Sequence, residues 1–144
     1  HPPVLLGGDA RPVLRRAALL ADGWLPWLTT PEELPERLAY LREQPGLRGR
    51  ERPFEVLSLL ADFPADDRFN LDRYRIPRER EELLDRIGRL QRAGATGVVV
   101  HTPQTGSLEE CLEWVESFAG DVMPAFRNPS GPVAATIPRS RQGS

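Results

Sequence analysis

Two adjacent glycines, Gly7 and Gly8, follow the apolar run Val4-Leu5-Leu6 and precede Asp9 and a stretch with helical periodicity. Glycine at a strand-to-helix junction lets a ligand approach backbone amides with no Cβ in the way, and a helix N-terminus attracts an anion. This is one way α/β proteins hold a phosphorylated cofactor; a tight turn needing two glycines is the plainer alternative. Asp9 reads as the N-cap of the helix, where its carboxylate would compete with a phosphate. Trp27 closes a second apolar stretch, and its flat indole could pack on a cofactor ring or simply fill space. His101 follows Val98-Val99-Val100 and could orient a substrate or move a proton near neutral pH, or anchor a loop. Arg68 sits in the charge-rich segment 62–77, where it could meet a phosphorylated or carboxylated ligand or stay solvated. No residue reads as a catalytic group. Cys111 is the single cysteine and His1 and His101 are the only histidines, so neither an internal disulfide nor a metal centre is expected.

The elements that would position these residues alternate strand and helix. Val4-Leu5-Leu6 reads as a buried strand, and Pro12 fits the first turn of the helix after it. Val13, Leu14, Ala17, Ala18 and Ala21 form the apolar face of that helix. The segment from Gly23 to Leu28 is a second strand candidate, although Pro26 argues against a regular one. Thr30-Pro31-Glu32-Glu33 is a capping box ahead of a helix carrying Leu34, Leu38 and Leu41, which Pro45-Gly46 ends. The segment 54–60 is the third strand. Leu83, Leu84, Ile87 and Leu90 are the stripe of a third helix, closed by Gly94. The segment 96–101 is the fourth strand, so His101 and Trp27 both fall at C-terminal strand ends. Ser107-Leu108-Glu109-Glu110 caps a last helix with Leu108, Cys111, Leu112, Val115 and Phe118 on its stripe, and Cys111 reads as a small buried apolar residue. From Arg127 to Ser144 the periodicity stops, which reads as a disordered tail.

At 144 residues one domain is expected, and a net charge of −2 gives no pull toward nucleic acid or an anionic membrane. No apolar run approaches the ~20 residues of a membrane helix, and no signal-peptide pattern opens the chain, so a cytoplasmic location is expected. Four strand–helix units in series call for a parallel sheet. A full (β/α)8 barrel takes about 250 residues, so the units amount to about half a barrel, or else to a small doubly wound sheet.

Several segments, in this order and spacing, carry a resemblance: 2–8, Leu14-Arg15-Arg16-Ala17-Ala18, Ala21-Asp22-Gly23-Trp24, Gly49-Arg50, Phe54-Glu55-Val56 and 93–100. Ser107, Glu109, Glu110 and the segment 118–124 complete it. Together they resemble the bacterial luciferase-like monooxygenase family, which includes flavin-dependent monooxygenases and oxidoreductases using coenzyme F420. The resemblance implies an α/β fold, the C-terminal half of a (β/α)8 TIM barrel, with four parallel strands in sequential order and helices on the outer face. It would span 1–126, with 127–144 as the tail. It implies FMN or coenzyme F420 as cofactor, with Leu6, Gly7, Gly8 and Trp27 in contact with it and His101 and Arg68 as candidate substrate-pocket residues. The partners it implies are a small organic substrate and the N-terminal half of the barrel, which supplies much of the cofactor pocket; open sheet edges also permit a homodimer. Two alternatives stand beside this reading: a non-catalytic half-barrel, and a doubly wound phosphate-binding module. Strand order separates the second from the first, because a doubly wound sheet contains a reversal point.

Overall fold

The computed structural model describes residues 2–62, 74–102 and 106–127. Four strands, β1 (Leu5–Gly7), β2 (Gly23–Leu25), β3 (Glu55–Leu59) and β4 (Gly97–Val99), alternate with helices α1 (Arg11–Leu20), α2 (Leu34–Arg42), α3 (Arg80–Ala93) and α4 (Leu108–Ser117). The strands form one sheet in the order β1-β2-β3-β4, every pairing parallel. No reversal point interrupts that order, which rules out the doubly wound module. Sequential parallel β/α units are the construction of a (β/α)8 barrel, and four of them make half of one.

The two faces of the sheet differ. Leu6, Trp24 and Val56 are neighbours across three strands, and Ser58 pairs with Val98. Leu6, Trp24, Val56, Val98 and the adjacent Leu60 pack with Leu14, Ala17 and Ala18 of α1, Leu34, Leu38 and Leu41 of α2, and Leu83, Ile87 and Leu90 of α3. All three helices therefore cover the same face. Leu5, Leu25, Leu57, Leu59 and Val99 alternate with these residues and stay out of that core. They line the face that becomes the interior when such a sheet closes.

Local signals behave as their chemistry requires. Pro12 lies in the first turn of α1. Thr30 and Glu33 form the reciprocal capping box: the Glu33 N–H donates to Thr30 Oγ1 at 3.4 Å and the Thr30 N–H to Glu33 Oε2 at 3.1 Å. The regular α2 begins only at Leu34, with Pro35 in its first turn. Gly94 ends α3 at φ +109°, a conformation that favours glycine.

Two expectations need correction. Asp9 does not cap α1; the cap position falls one residue later, on Ala10, which makes no side-chain capping bond. The apolar stripe of α4 is not buried either: Leu108 is 74% exposed, Leu112 53% and Val115 42%, and Cys111 is only partly buried. Among the described residues no strand follows β4, and they give α4 its packing mainly through the π-type turn Phe118–Val122, from which Val122 and Phe118 reach the core. The expected tail beyond Arg127 lies outside the described residues. Among those described, no helix is long and apolar enough to cross a membrane.

Candidate functional site

In a parallel sheet every strand-to-helix connection leaves the same edge, so the segments after β1, β2, β3 and β4 gather at one mouth. Gly8, Trp27, Asp62 and His101 all stand there.

The paired glycines divide into two roles. Gly8 has φ +122°. Its N–H donates to the carbonyl of Leu25 at 3.1 Å, and its own carbonyl accepts the indole Nε1–H of Trp24 at 2.7 Å. Its backbone groups are thus engaged within the fold, and its glycine identity follows from its backbone angle. Gly7 is different. It is exposed and has no positive φ, and a Cβ added there would meet nothing closer than the Leu25 carbonyl at 3.8 Å. Among the described residues, neither conformation nor packing requires glycine at position 7. The space above it is open at the mouth.

Leu6 directs its side chain into the helix-packed core, so toward a ligand it offers backbone alone. Trp24 is wholly buried, whereas Trp27 is 45% exposed just beyond β2. The carboxylate of Asp9 turns away from the start of α1 and accepts the backbone N–H groups of Trp27 at 3.2 Å and Leu28 at 2.9 Å, and the hydroxyl of Thr29. Arg37 of α2 donates from Nη1 to the Asp9 carbonyl at 2.6 Å. Asp9 therefore does not occupy the cap of α1, although its charge stays one residue from it. The sequence did not single out Arg37 or Thr29, because nothing local marks a partner 20 or 28 residues away.

His101 is exposed beyond β4, two strands from Trp27. At about 4.8 Å per strand, roughly 10 Å separates these positions across the sheet, so the mouth gathers them without bringing them into contact. Arg68 lies outside the described residues. The base of its segment is held by an antiparallel bridge between Asp62 and Arg75 and by charge: Arg75 pairs with Asp62 at 2.9 Å and with both carboxylate oxygens of Glu82, and Arg86 with Asp62 at 3.0 Å. The hydrogen bond from Arg75 holds the Glu82 carboxyl below its ordinary value, and the same bond raises the Arg75 guanidinium.

A groove of about 490 Å³ runs between α1 and α2, lined in part by Arg11, Arg37, Tyr40, Glu33, Glu36 and Glu43. With Asp9 also in its lining, four carboxylates against two guanidinium groups give it no net attraction for an anion. Among the described residues no group of histidine, cysteine and carboxylate side chains could hold a metal ion. A flat ring carrying a phosphate fits the residues present in three respects: open space at Gly7, an exposed indole after the neighbouring strand, and a helix start not occupied by a side-chain cap.

These features define the class: half of a (β/α)8 barrel with its mouth at the C-terminal strand ends. The fold is similar to that of the coenzyme F420 dependent tetrahydromethanopterin reductase from Methanopyrus kandleri. The TM-score is 0.61 at 16% identity, over 87% of this chain and 51% of that one. In sequence, uncharacterized proteins of Mycobacterium tuberculosis and Mycobacterium bovis are 30% identical over 128 residues, covering 84% of this chain. The chain spans 38% of the length of these relatives. No family model matches it.

Proposed function

We propose that this chain is the C-terminal half of a luciferase-like oxidoreductase barrel and forms one wall of a site for coenzyme F420 or FMN. The observation that carries this reading is Gly7, an exposed glycine at the mouth that neither backbone angle nor packing explains. A ring cofactor lying over β1 explains it. The F420 dependence of the similarly folded reductase favours the deazaflavin over FMN. The cofactor supplies the redox chemistry when bound, and the protein supplies position and exclusion of water. In this chain Gly7 leaves room for the ring, Trp27 offers it an aromatic face, and the start of α1 attracts a phosphate. His101 stands where a small organic substrate would enter. The opposite wall belongs to the N-terminal half of the barrel.

Equilibrium titration of the full polypeptide carrying this chain, with coenzyme F420 and with FMN, tests the reading. Wild type binds one of the two, and Gly7→Val binds it at least about tenfold more weakly with an unchanged thermal midpoint. Failure to bind either compound, or equal binding by Gly7→Val, overturns it.

A second reading, a non-catalytic half-barrel that assembles with its own copies, is favoured by the exposed stripe Leu108, Leu112 and Val115 on α4.

A further inference from the structure

One carboxylate stitches the turn after β1 to the loop after β2. Asp9 Oδ1 accepts the Trp27 N–H at 3.2 Å and the Thr29 hydroxyl, and Oδ2 accepts the Leu28 N–H at 2.9 Å. Arg37 pins the Asp9 carbonyl from α2 at 2.6 Å. Pro26, buried and with φ restricted by its ring, fixes the chain on the other side of Trp27. The backbone is thus held at Trp27 and at Leu28, and the Thr29 side chain is tied to the same carboxylate. Its side chain nonetheless leaves 45% of its surface exposed at the mouth. No described residue of this chain covers the rest of the indole, whereas Trp24 is wholly hidden. An exposed ring on an immobilised backbone is preorganised for stacking, because little further freedom is lost when a flat partner arrives.

We propose that Asp9 is a positioning residue that holds Trp27 as a stacking platform for a planar ring bound at the mouth. This rests on the reading of the mouth as a ring-cofactor site and adds the device that presents the aromatic face. The carboxylate accounts for the loop bonds and the indole for the stacking, so the two residues act through one another.

The full 144-residue chain, labelled with 5-fluorotryptophan, tests the positioning by ¹⁹F NMR, with the three signals assigned by Trp→Phe substitutions. In Asp9→Ala the Trp27 signal moves toward that of free 5-fluorotryptophan, while Trp114, remote from the mouth on α4, keeps its own. Asp9→Asn, which retains one acceptor oxygen, lies between. An unmoved Trp27 signal in both variants, or all three signals shifting together in Asp9→Asn, overturns the proposal. The stacking is tested in the full polypeptide by titration with coenzyme F420 and FMN. Asp9→Ala and Trp27→Ala each weaken binding roughly tenfold, and the double variant is no weaker than Trp27→Ala alone. Additive losses overturn the proposal while leaving the cofactor reading in place. Wild type binding neither compound overturns the cofactor reading, and the stacking role with it, whatever the ¹⁹F signals show.

Discussion

The indole Nε1 of Trp24 donates to the carbonyl of Gly8 across 2.7 Å, tying β2 to the turn that follows β1. The ring is otherwise enclosed in the core, so its one polar atom spends its donor on the backbone of the mouth. Trp24→Phe keeps most of the apolar contact but strands the Gly8 carbonyl and trims the ring. The expected loss is about 1–3 kcal/mol in urea denaturation. A loss within experimental error would show that the bond adds nothing to stability.

Glycines at three positions should answer differently to alanine. A Cβ on Gly46 would collide with the Ala18 carbonyl oxygen and lie 2.8 Å from the Leu19 Cα, and one on Gly23 would lie 2.6 Å from the Glu55 carbonyl. These are backbone atoms that cannot swing aside. Gly46→Ala and Gly23→Ala should each cost about 1–3 kcal/mol. Gly7→Ala should change stability by less than about 0.5 kcal/mol. Thermal or urea midpoints for the three variants check the contrast, which also decides whether Gly7 is free for a role other than folding.

Acid should loosen the brace at the end of β3. Glu82 is held below its ordinary value by the hydrogen bond from Arg75, so the folded chain resists protonating it more than the unfolded chain does. The stability from this pair is complete above the ordinary glutamate range and is lost as pH falls through the lowered folded-state value. Both groups are substantially exposed, so salt weakens the effect. NMR titration of Glu82, with urea midpoints between about pH 7 and pH 3, should show Arg75→Gln returning the carboxyl toward its ordinary value and flattening that part of the acid limb. An unchanged Glu82 titration in Arg75→Gln would count against the pairing.

The uncovered stripe on α4 should make the isolated chain associate as its concentration rises. Leu108, Leu112 and Val115 lie at helical spacing and expose apolar surface on α4 among the described residues. Sedimentation velocity should show mass above the monomer, reduced by Leu112→Glu without loss of helical signal. A chain that stays monomeric at all concentrations would mean that the stripe does not drive self-association.

How far the sequence reaches depends on how far apart the interacting residues lie. The Thr30–Glu33 box, Pro12 in the first turn, Gly94 in a left-handed closure and Ser107 accepting the Glu110 N–H were all legible, because each device acts within one turn of helix. The alternation of strand and helix was legible for the same reason, and with it a parallel sheet. Asp9 was read as a helix cap by that same local logic, yet its partners lie 18 to 20 residues away. Only the side-by-side pairing of β1 and β2 brings them within reach. Periodicity likewise marks the apolar stripe of α4, but whether a stripe is buried depends on what stands opposite it, and among the described residues no strand follows β4. Local residue chemistry accounts for the strands and helices, for the caps of α4 and of the turn before α2, and for the residues gathered at the strand ends, but not for the start of α1. The sequential strand order implied by the resemblance is the one observed, whereas which glycine is spoken for and which is open, and which tryptophan is hidden, rest on contacts between segments far apart in the chain.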